Sequence, residues 1–141
     1  MTGHAFVVVP ARRCYRPAPV EARTIARVLA LGRVAVGAAL VAVPGRAAAG
    51  WVGDDSRRPG AQVALVAVGA RDIVLGLGTA WAVGGKDGSK PWLLASAGGD
   101  LADLLATLHH RDALARNAVI GVGALAGSAG AVGLWLASEL D

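Results

Sequence analysis

Four apolar stretches, separated by short polar segments, dominate the pattern of the chain. They cover residues 24–43, 61–83, 92–108 and 117–137. A helix needs about 20 apolar residues to cross the hydrocarbon core of a bilayer, and three of the stretches reach that length. The pattern predicts an all-α integral membrane protein, a four-helix bundle with antiparallel up-down connections over residues 24–141. Residues 1–23 hold three prolines and several arginines, and we expect them to form a flexible basic extension.

The second stretch carries an arginine and an aspartate side by side at its midpoint, Arg71 and Asp72. A charged side chain at the centre of an inserted helix costs about 2.5–3.5 kcal/mol on insertion scales. Such a helix needs partners of opposite charge inside the protein. The other stretches offer Arg33, Asp100 and Asp103, so we expect Arg71 to pair with Asp100 or Asp103. Arg33 is expected to pair with Asp72 or with the same two acids.

Polar residues of the third stretch recur at steps of four, three, four and three. They are Ser96, Asp100, Asp103, Thr107 and His110. This spacing predicts a single polar stripe along one face of a helix. In a bundle with apolar neighbours the stripe must face the interior, with small residues at 96–99 leaving room beside it. His110 ends the stripe and is a reserve candidate for relaying protons.

Composition supports the membrane interpretation. Hydrophobic residues make up 55% of the 141 residues, aromatic residues only 4%, and 20 residues are glycine. A soluble bundle rich in alanine and leucine is the alternative, but so many glycines are more typical of membrane helices, where they allow close backbone approach. Gly123 and Gly127 form a GxxxG pattern in the fourth stretch, which predicts either packing within the chain or a homodimer face.

Basic residues are concentrated before residue 28, in a chain with a formal net charge of +4. No nucleic-acid motif or interleaved aromatic residue accompanies them, so we expect no nucleic-acid partner. A basic segment beside a membrane helix indicates the cytoplasmic side and contact with anionic lipid. Four spans then place both termini in the cytoplasm and the protein in the cell membrane. The acidic pair Asp54-Asp55 and the pair His109-His110 lack metal-ligand spacing, so the sequence predicts no metal or cofactor.

The segment Gly-Ala-Arg-Asp-Ile-Val-Leu-Gly-Leu-Gly at residues 69–78 carries a resemblance to a known family. Together with Arg33, Gly37 and Pro44 before it and Asp100 and Asp103 after it, it resembles small four-helix membrane proteins of actinobacteria and fungi that carry a domain of unknown function. The resemblance covers about residues 24–137. It implies a fold and a membrane location, and it implies no activity.

The buried charges suggest three classes of function. Three aspartates face two arginines, so one carboxylate is in excess and is expected to hold a proton, shared between Asp100 and Asp103. An acid beside an ionised base suits cofactor-free acid–base catalysis on a lipophilic molecule, such as isomerisation, cyclisation or hydrolytic epoxide opening, with Asp72 in reserve. Proton-coupled transport or lipophile binding is the second class. A structural subunit whose ion pairs fix helix packing is the third. A cavity beside the aspartates favours the first two over the third.

Overall fold

The computed structural model describes residues 20–85 and 88–140, and this part of the chain is helical without strands. Four long helices are α1 (Val20–Ala42), α4 (Pro59–Gly84), α5 (Lys90–His109) and α6 (Arg116–Glu139), and two short ones are α2 (Pro44–Ala47) and α3 (Ala49–Val52). The all-α prediction is confirmed for this part. Helix α1 begins four residues before the predicted span, with Glu21 in its first turn, where a negative charge favours the helix dipole. Residues 1–19 of the predicted extension lie outside the described residues.

The segment between α1 and α4 forms a compact cap, although its mixed charges and its Pro-Gly pairs at residues 44–45 and 59–60 predict a solvated loop. Helices α2 and α3, separated by Ala48 alone, are followed directly by a 3₁₀ turn over Gly53–Arg57. The buried hydroxyl of Ser56 donates to the carbonyl oxygen of Gly45 at 2.8 Å. Ala48 packs with Leu40 of α1 and Leu65 of α4, with Trp51 beside them. The segment departs from a loop because its small residues let it bury these contacts.

Glycines bring α1 and α4 into close backbone contact. A Cβ atom on Gly37 would lie 2.6 Å from the carbonyl oxygen of Gly69, and one on Gly76 would lie 2.6 Å from that of Ala30. Real Cβ atoms do not approach backbone so closely, so these two helices meet at a distance that only glycine permits. The contacts run in opposite sequence directions, and the pair is therefore antiparallel.

Helix α6 packs on α5 in the same antiparallel sense. Gly130 lies against Asp100 and Gly133 lies against Ala97, both at ordinary contact distances. The predicted GxxxG residues Gly123 and Gly127 both face Leu104 of α5. This face is therefore partly used within the chain, and a homodimer through it remains a prediction.

The outer surface is strongly apolar. Within the described residues, α1, α4 and α6 are the three helices long and apolar enough to span a membrane, which indicates membrane association. Only 22%, 28% and 17% of their most apolar segments are buried, so most apolar side chains face outward, such as Val63, Val28 and Leu125. Helix α5 is not one of these three, because its charges and polar stripe lower its hydropathy. Three of the four predicted spans thus have the required length and composition.

We predict that Gly69→Ala destabilises the protein strongly. Its new Cβ atom would lie 2.7 Å from the carbonyl oxygen of Gly37, so α1 and α4 would have to separate. Overpacking of this kind costs about 1–3 kcal/mol, more than the roughly 1 kcal/mol that alanine gains over glycine in a helix. Gly98→Ala is the matched control, since a Cβ atom there meets nothing within 4 Å. Thermal unfolding in detergent should show a lower midpoint for Gly69→Ala alone; equal midpoints would contradict the close contact.

Candidate functional site

Five charged side chains meet near the middle of α1, α4 and α5. These residues, called the ionic cluster below, are Arg33, Arg71, Asp72, Asp100 and Asp103. Their contacts form one line of alternating charge, from Asp100 through Arg33, Asp72 and Arg71 to Asp103. The three helices supply these side chains from within apolar stretches. The cluster therefore pairs charges that would otherwise be isolated in the interior.

Asp72 is the centre of the ionic cluster. Its Oδ1 atom accepts hydrogen bonds from Nη1 of Arg33 at 3.1 Å and from Nε and Nη2 of Arg71 at 3.2 and 3.0 Å. The residue is buried, at 6% exposure. Its contact with Arg33 joins α1 to α4 between the two glycine contacts described above. The ion pair therefore fixes the register of these helices at their closest approach.

Arg33 extends the cluster from α1 to α5. Its Nη2 atom donates to Oδ1 of Asp100 at 2.5 Å and to the carbonyl oxygen of Ser96 at 3.5 Å. The Ser96 hydroxyl in turn lies 3.4 Å from the hydroxyl of Thr79 on α4. The side chains of Arg33, Asp72 and Asp100 are only 8–10% exposed, so this end of the cluster is well shielded.

The opposite end of the cluster is a bidentate ion pair between Arg71 and Asp103. Nη1 and Nη2 of Arg71 donate to the two carboxylate oxygens of Asp103 at 3.1 and 2.7 Å. Bidentate pairs of this geometry are among the stronger ionic contacts. Gly99 leaves space for the guanidinium of Arg71, since a Cβ atom on residue 99 would already be in van der Waals contact with it. This end is more open, with side-chain exposures of 32% and 21%.

The expected pairings are confirmed. Arg71 reaches Asp103, and Arg33 reaches both Asp72 and Asp100. Asp100 and Asp103 are bound by different arginines, and no hydrogen bond joins the two aspartates within the described residues. The expected sharing of one proton between them therefore stays a prediction. The two carboxylates lie on one face of α5, and each is paired with an arginine from a different helix, Arg33 of α1 and Arg71 of α4.

The stripe on α5 faces the interior only as far as Thr107. Ser96, Asp100 and Thr107 are buried, whereas His110 is exposed and lies outside the ionic cluster. Helix α5 ends at His109, so His110 leaves the helical register, and its ring contacts that of His109 edge-on at 4.8 Å between centroids. Among residues 20–85 and 88–140, no contact links His110 to the ionic cluster through which it could relay protons.

Trp51 is a site residue that the sequence pattern misses. The sequence suggests a role at the membrane interface, but its Nε1 atom donates to the hydroxyl of Thr107 at 3.1 Å. That hydroxyl donates to the carbonyl oxygen of Asp103 one turn earlier. The bond ties the cap to α5 next to the ionic cluster. Its only signal in the sequence is a tryptophan in the polar segment between the first two apolar stretches, far along the chain from Thr107.

A cavity of about 470 Å³ lies against the ionic cluster. Four of its seventeen lining residues are charged, and all four belong to the cluster: Arg33, Asp72, Asp100 and Asp103. The remainder are apolar or aromatic and come from α1, α4, α6 and the cap. Its volume falls in the range of small-molecule sites. The cavity is therefore a hydrocarbon-lined chamber with one charged wall.

The cavity opens between α1 and α6. Its lining includes outward-facing residues of both helices, among them Val28, Val36 and Leu125. At one end, Ala22 and Ala26 of α1 belong to the same packed core as Leu136 of α6. At the other end stands the cap, with Trp51. The opening thus lies on the apolar side of the molecule, between two closed ends.

No family model, curated protein or solved structure matches this chain. Within the described residues, no group of three or more histidine, cysteine, aspartate or glutamate side chains is arranged to hold a metal ion. The ionic cluster and the cavity therefore define the chemistry available at the site.

We predict that Arg71 and Asp103 are energetically coupled. Arg71→Leu should destabilise the protein by about 3–5 kcal/mol, because it leaves carboxylates without their partner. Adding Asp103→Leu should recover part of that loss, giving a coupling energy of about 0.5–3 kcal/mol.

The exposed pair of Arg58 and Asp55, with side-chain exposures of 77% and 65%, is the control for this cycle. Exchange of either residue for leucine should change stability little, because surface pairs contribute about 0–1 kcal/mol. Unfolding midpoints in detergent measure both cycles. Purely additive losses at Arg71 and Asp103 would show that the pair is not coupled.

Proposed function

We propose that this is an integral protein of the cell membrane whose cavity binds a lipophilic small molecule. In this proposal α1, α4, α5 and α6 cross the bilayer as an antiparallel up-down bundle, with both termini in the cytoplasm. The apolar outer surface of α1, α4 and α6 supports insertion. Helix α5 can join them because its charges are paired within the protein, which lowers the cost of placing them in hydrocarbon.

The observation that carries the proposal is the cavity itself. A cluster that served only to hold helices together would need no chamber beside it. Here an apolar chamber of about 470 Å³ contacts three carboxylates and opens on the surface that faces lipid in the proposed bundle. A lipophilic molecule could enter from the membrane without crossing a polar barrier.

Acid–base catalysis on the bound molecule is the chemistry that this charged wall could support. Asp100 gives only one oxygen to Arg33, and its other oxygen accepts no hydrogen bond from a described residue. A carboxyl group with a free oxygen against an apolar chamber can act as a general acid or base. Isomerisation, cyclisation or hydrolytic epoxide opening need no cofactor, with Asp100 as first candidate and Asp72 and Asp103 beside it.

The structural alternative rests on one observation, namely that each of the three aspartates has an arginine partner. Buried ion pairs can fix packing without any ligand. The two proposals differ in what happens when the cavity is filled and the ion pairs are left intact.

We expect the protein to remain with membranes after an alkaline wash and to need detergent for solubility. Side chains such as Val63, at 72% exposure, and Leu125, at 65%, would otherwise face water over a large contiguous area. Fractionation followed by size-exclusion chromatography measures this. A monodisperse protein in plain buffer would contradict membrane insertion.

Gly32→Leu should fill the cavity and abolish ligand binding without unfolding the protein. Gly32 lines the cavity, and a Cβ atom there meets nothing within 4 Å. Gly98→Leu is the matched control, an exposed glycine of α5 that does not line the cavity. Mass spectrometry of lipophilic molecules extracted from detergent-purified protein should find a compound in the wild type and in Gly98→Leu, and lose it in Gly32→Leu.

The same extraction separates binding from a structural role. Identical extracts from all three proteins would contradict the lipophile site and leave the ionic cluster as a packing device. For acid–base chemistry, a folded Asp100→Asn variant should retain the unconverted form of the compound, because the amide cannot exchange the proton. General acid–base assistance contributes about 10²–10⁴ in rate, so the shift from product to substrate should be nearly complete.

A further inference from the structure

We infer that the cavity is selective for a lipophilic cation, such as a protonated amine carried on a compact hydrocarbon body. The inference rests on the proposed function and adds the charge of the ligand. It follows from three properties of the cavity, namely its net charge, its free hydrogen-bonding atoms and the nature of its remaining walls.

The charged wall of the cavity has a surplus of negative charge. The ionic cluster holds three carboxylates and two guanidinium groups. Of the two arginines, Arg33 lines the cavity, and Arg71 is not among the lining residues. The described residues of α6 and of the cap that line the chamber contribute no ionisable side chain, so nothing on the opposite walls offsets this surplus.

The carboxylates of the wall offer a ligand free acceptors, whereas both terminal nitrogens of its one guanidinium group already donate to the protein. Both Nη atoms of Arg33 are bound, one to Asp72 and the other to Asp100 and the Ser96 carbonyl, and the side chain is only 8% exposed. Both oxygens of Asp103 accept from Arg71. The Oδ2 atoms of Asp72 and Asp100 accept no hydrogen bond from a described residue.

These two Oδ2 atoms are also reachable. No fully buried side-chain nitrogen or oxygen lacks a hydrogen-bond partner within the described residues. The two free oxygens are therefore not sealed inside the protein, although their side chains are 9% and 10% exposed, and both residues line the cavity. A ligand with N–H donors and a positive charge complements such a pair, whereas an anion would meet like charge.

The remaining walls define the body of the ligand. Thirteen of the seventeen lining residues are uncharged and apolar or aromatic, which excludes a strongly hydrated inorganic cation. Trp51 adds an aromatic ring to the lining, and indole faces attract cations. The chemistry therefore favours an organic ammonium group attached to hydrocarbon.

Three probes of matched shape test the inference: 1-aminoadamantane, which is protonated at pH 7, 1-adamantanol and adamantane-1-carboxylate. The full chain is placed in phosphatidylcholine nanodiscs, and binding is measured by equilibrium dialysis against empty nanodiscs, which corrects for partition into lipid. The amine should bind at least about tenfold more tightly than the alcohol, and the carboxylate should not bind. In a folded Asp100→Asn variant the preference for the amine should fall by about tenfold, while Gly98→Leu should keep it.

The ranking in the wild type decides the matter even if Asp100→Asn fails to fold. Equal binding of amine and alcohol would overturn the cation inference and leave the lipophile site intact, with the surplus carboxylate neutralised by a proton. Tightest binding of the carboxylate would also overturn it. Failure of all three probes would overturn the inference too, and the proposed function would then be decided separately by the Gly32→Leu extraction.

Discussion

The interaction on which the structure depends is the neutralisation of two arginines by three aspartates inside an apolar protein. An unpaired charge there would cost several kcal/mol, so α1, α4 and α5 pack in the register that joins Arg33 to Asp72 and Asp100 and joins Arg71 to Asp103. That register requires the backbones to be close. Gly37 and Gly76, on either side of the Arg33–Asp72 pair, provide the closeness. Charge and small size thus act together, since the glycines bring the helices near enough for the ion pairs to form.

Helix α6 differs from its neighbours because it contributes no charge to the cluster. It packs on α5 through Gly130 and Gly133, and it meets α1 near one end of the molecule, where Leu136 joins Ala22 and Ala26. The space left between α1 and α6 is the cavity. The cavity has charged residues on one side only, because α1, α4 and α5 supply the charged wall whereas α6 supplies apolar side chains.

The sequence was sufficient to predict the long helices and the membership of the ionic cluster, because charged residues within apolar stretches have very few available partners. It could not predict which arginine binds which aspartate. That choice depends on the rotation of each helix and on Asp72 accepting from both arginines, and it gives Asp100 and Asp103 different arginine partners. His110 was misplaced because a helical stripe has no meaning beyond the end of its helix.

The cap and the role of Trp51 were also missed, since short helices carry no periodic signal. The cavity arises from the fit between helices and is invisible to any single stretch.

The opening between α1 and α6 has a consequence for how ligands reach the site. In the proposed membrane bundle, a molecule that enters through this gap would arrive by lateral diffusion within the bilayer, and the concentration that governs occupancy would be its concentration in the lipid. Each additional methylene group favours transfer from water into the membrane by about 0.8 kcal/mol, so two of them enrich a compound there by about tenfold. The protein can then discriminate among ligands mainly by charge and shape, while the surrounding membrane supplies the general preference for hydrophobic molecules. A modest intrinsic affinity would be enough to fill such a site at low aqueous concentrations.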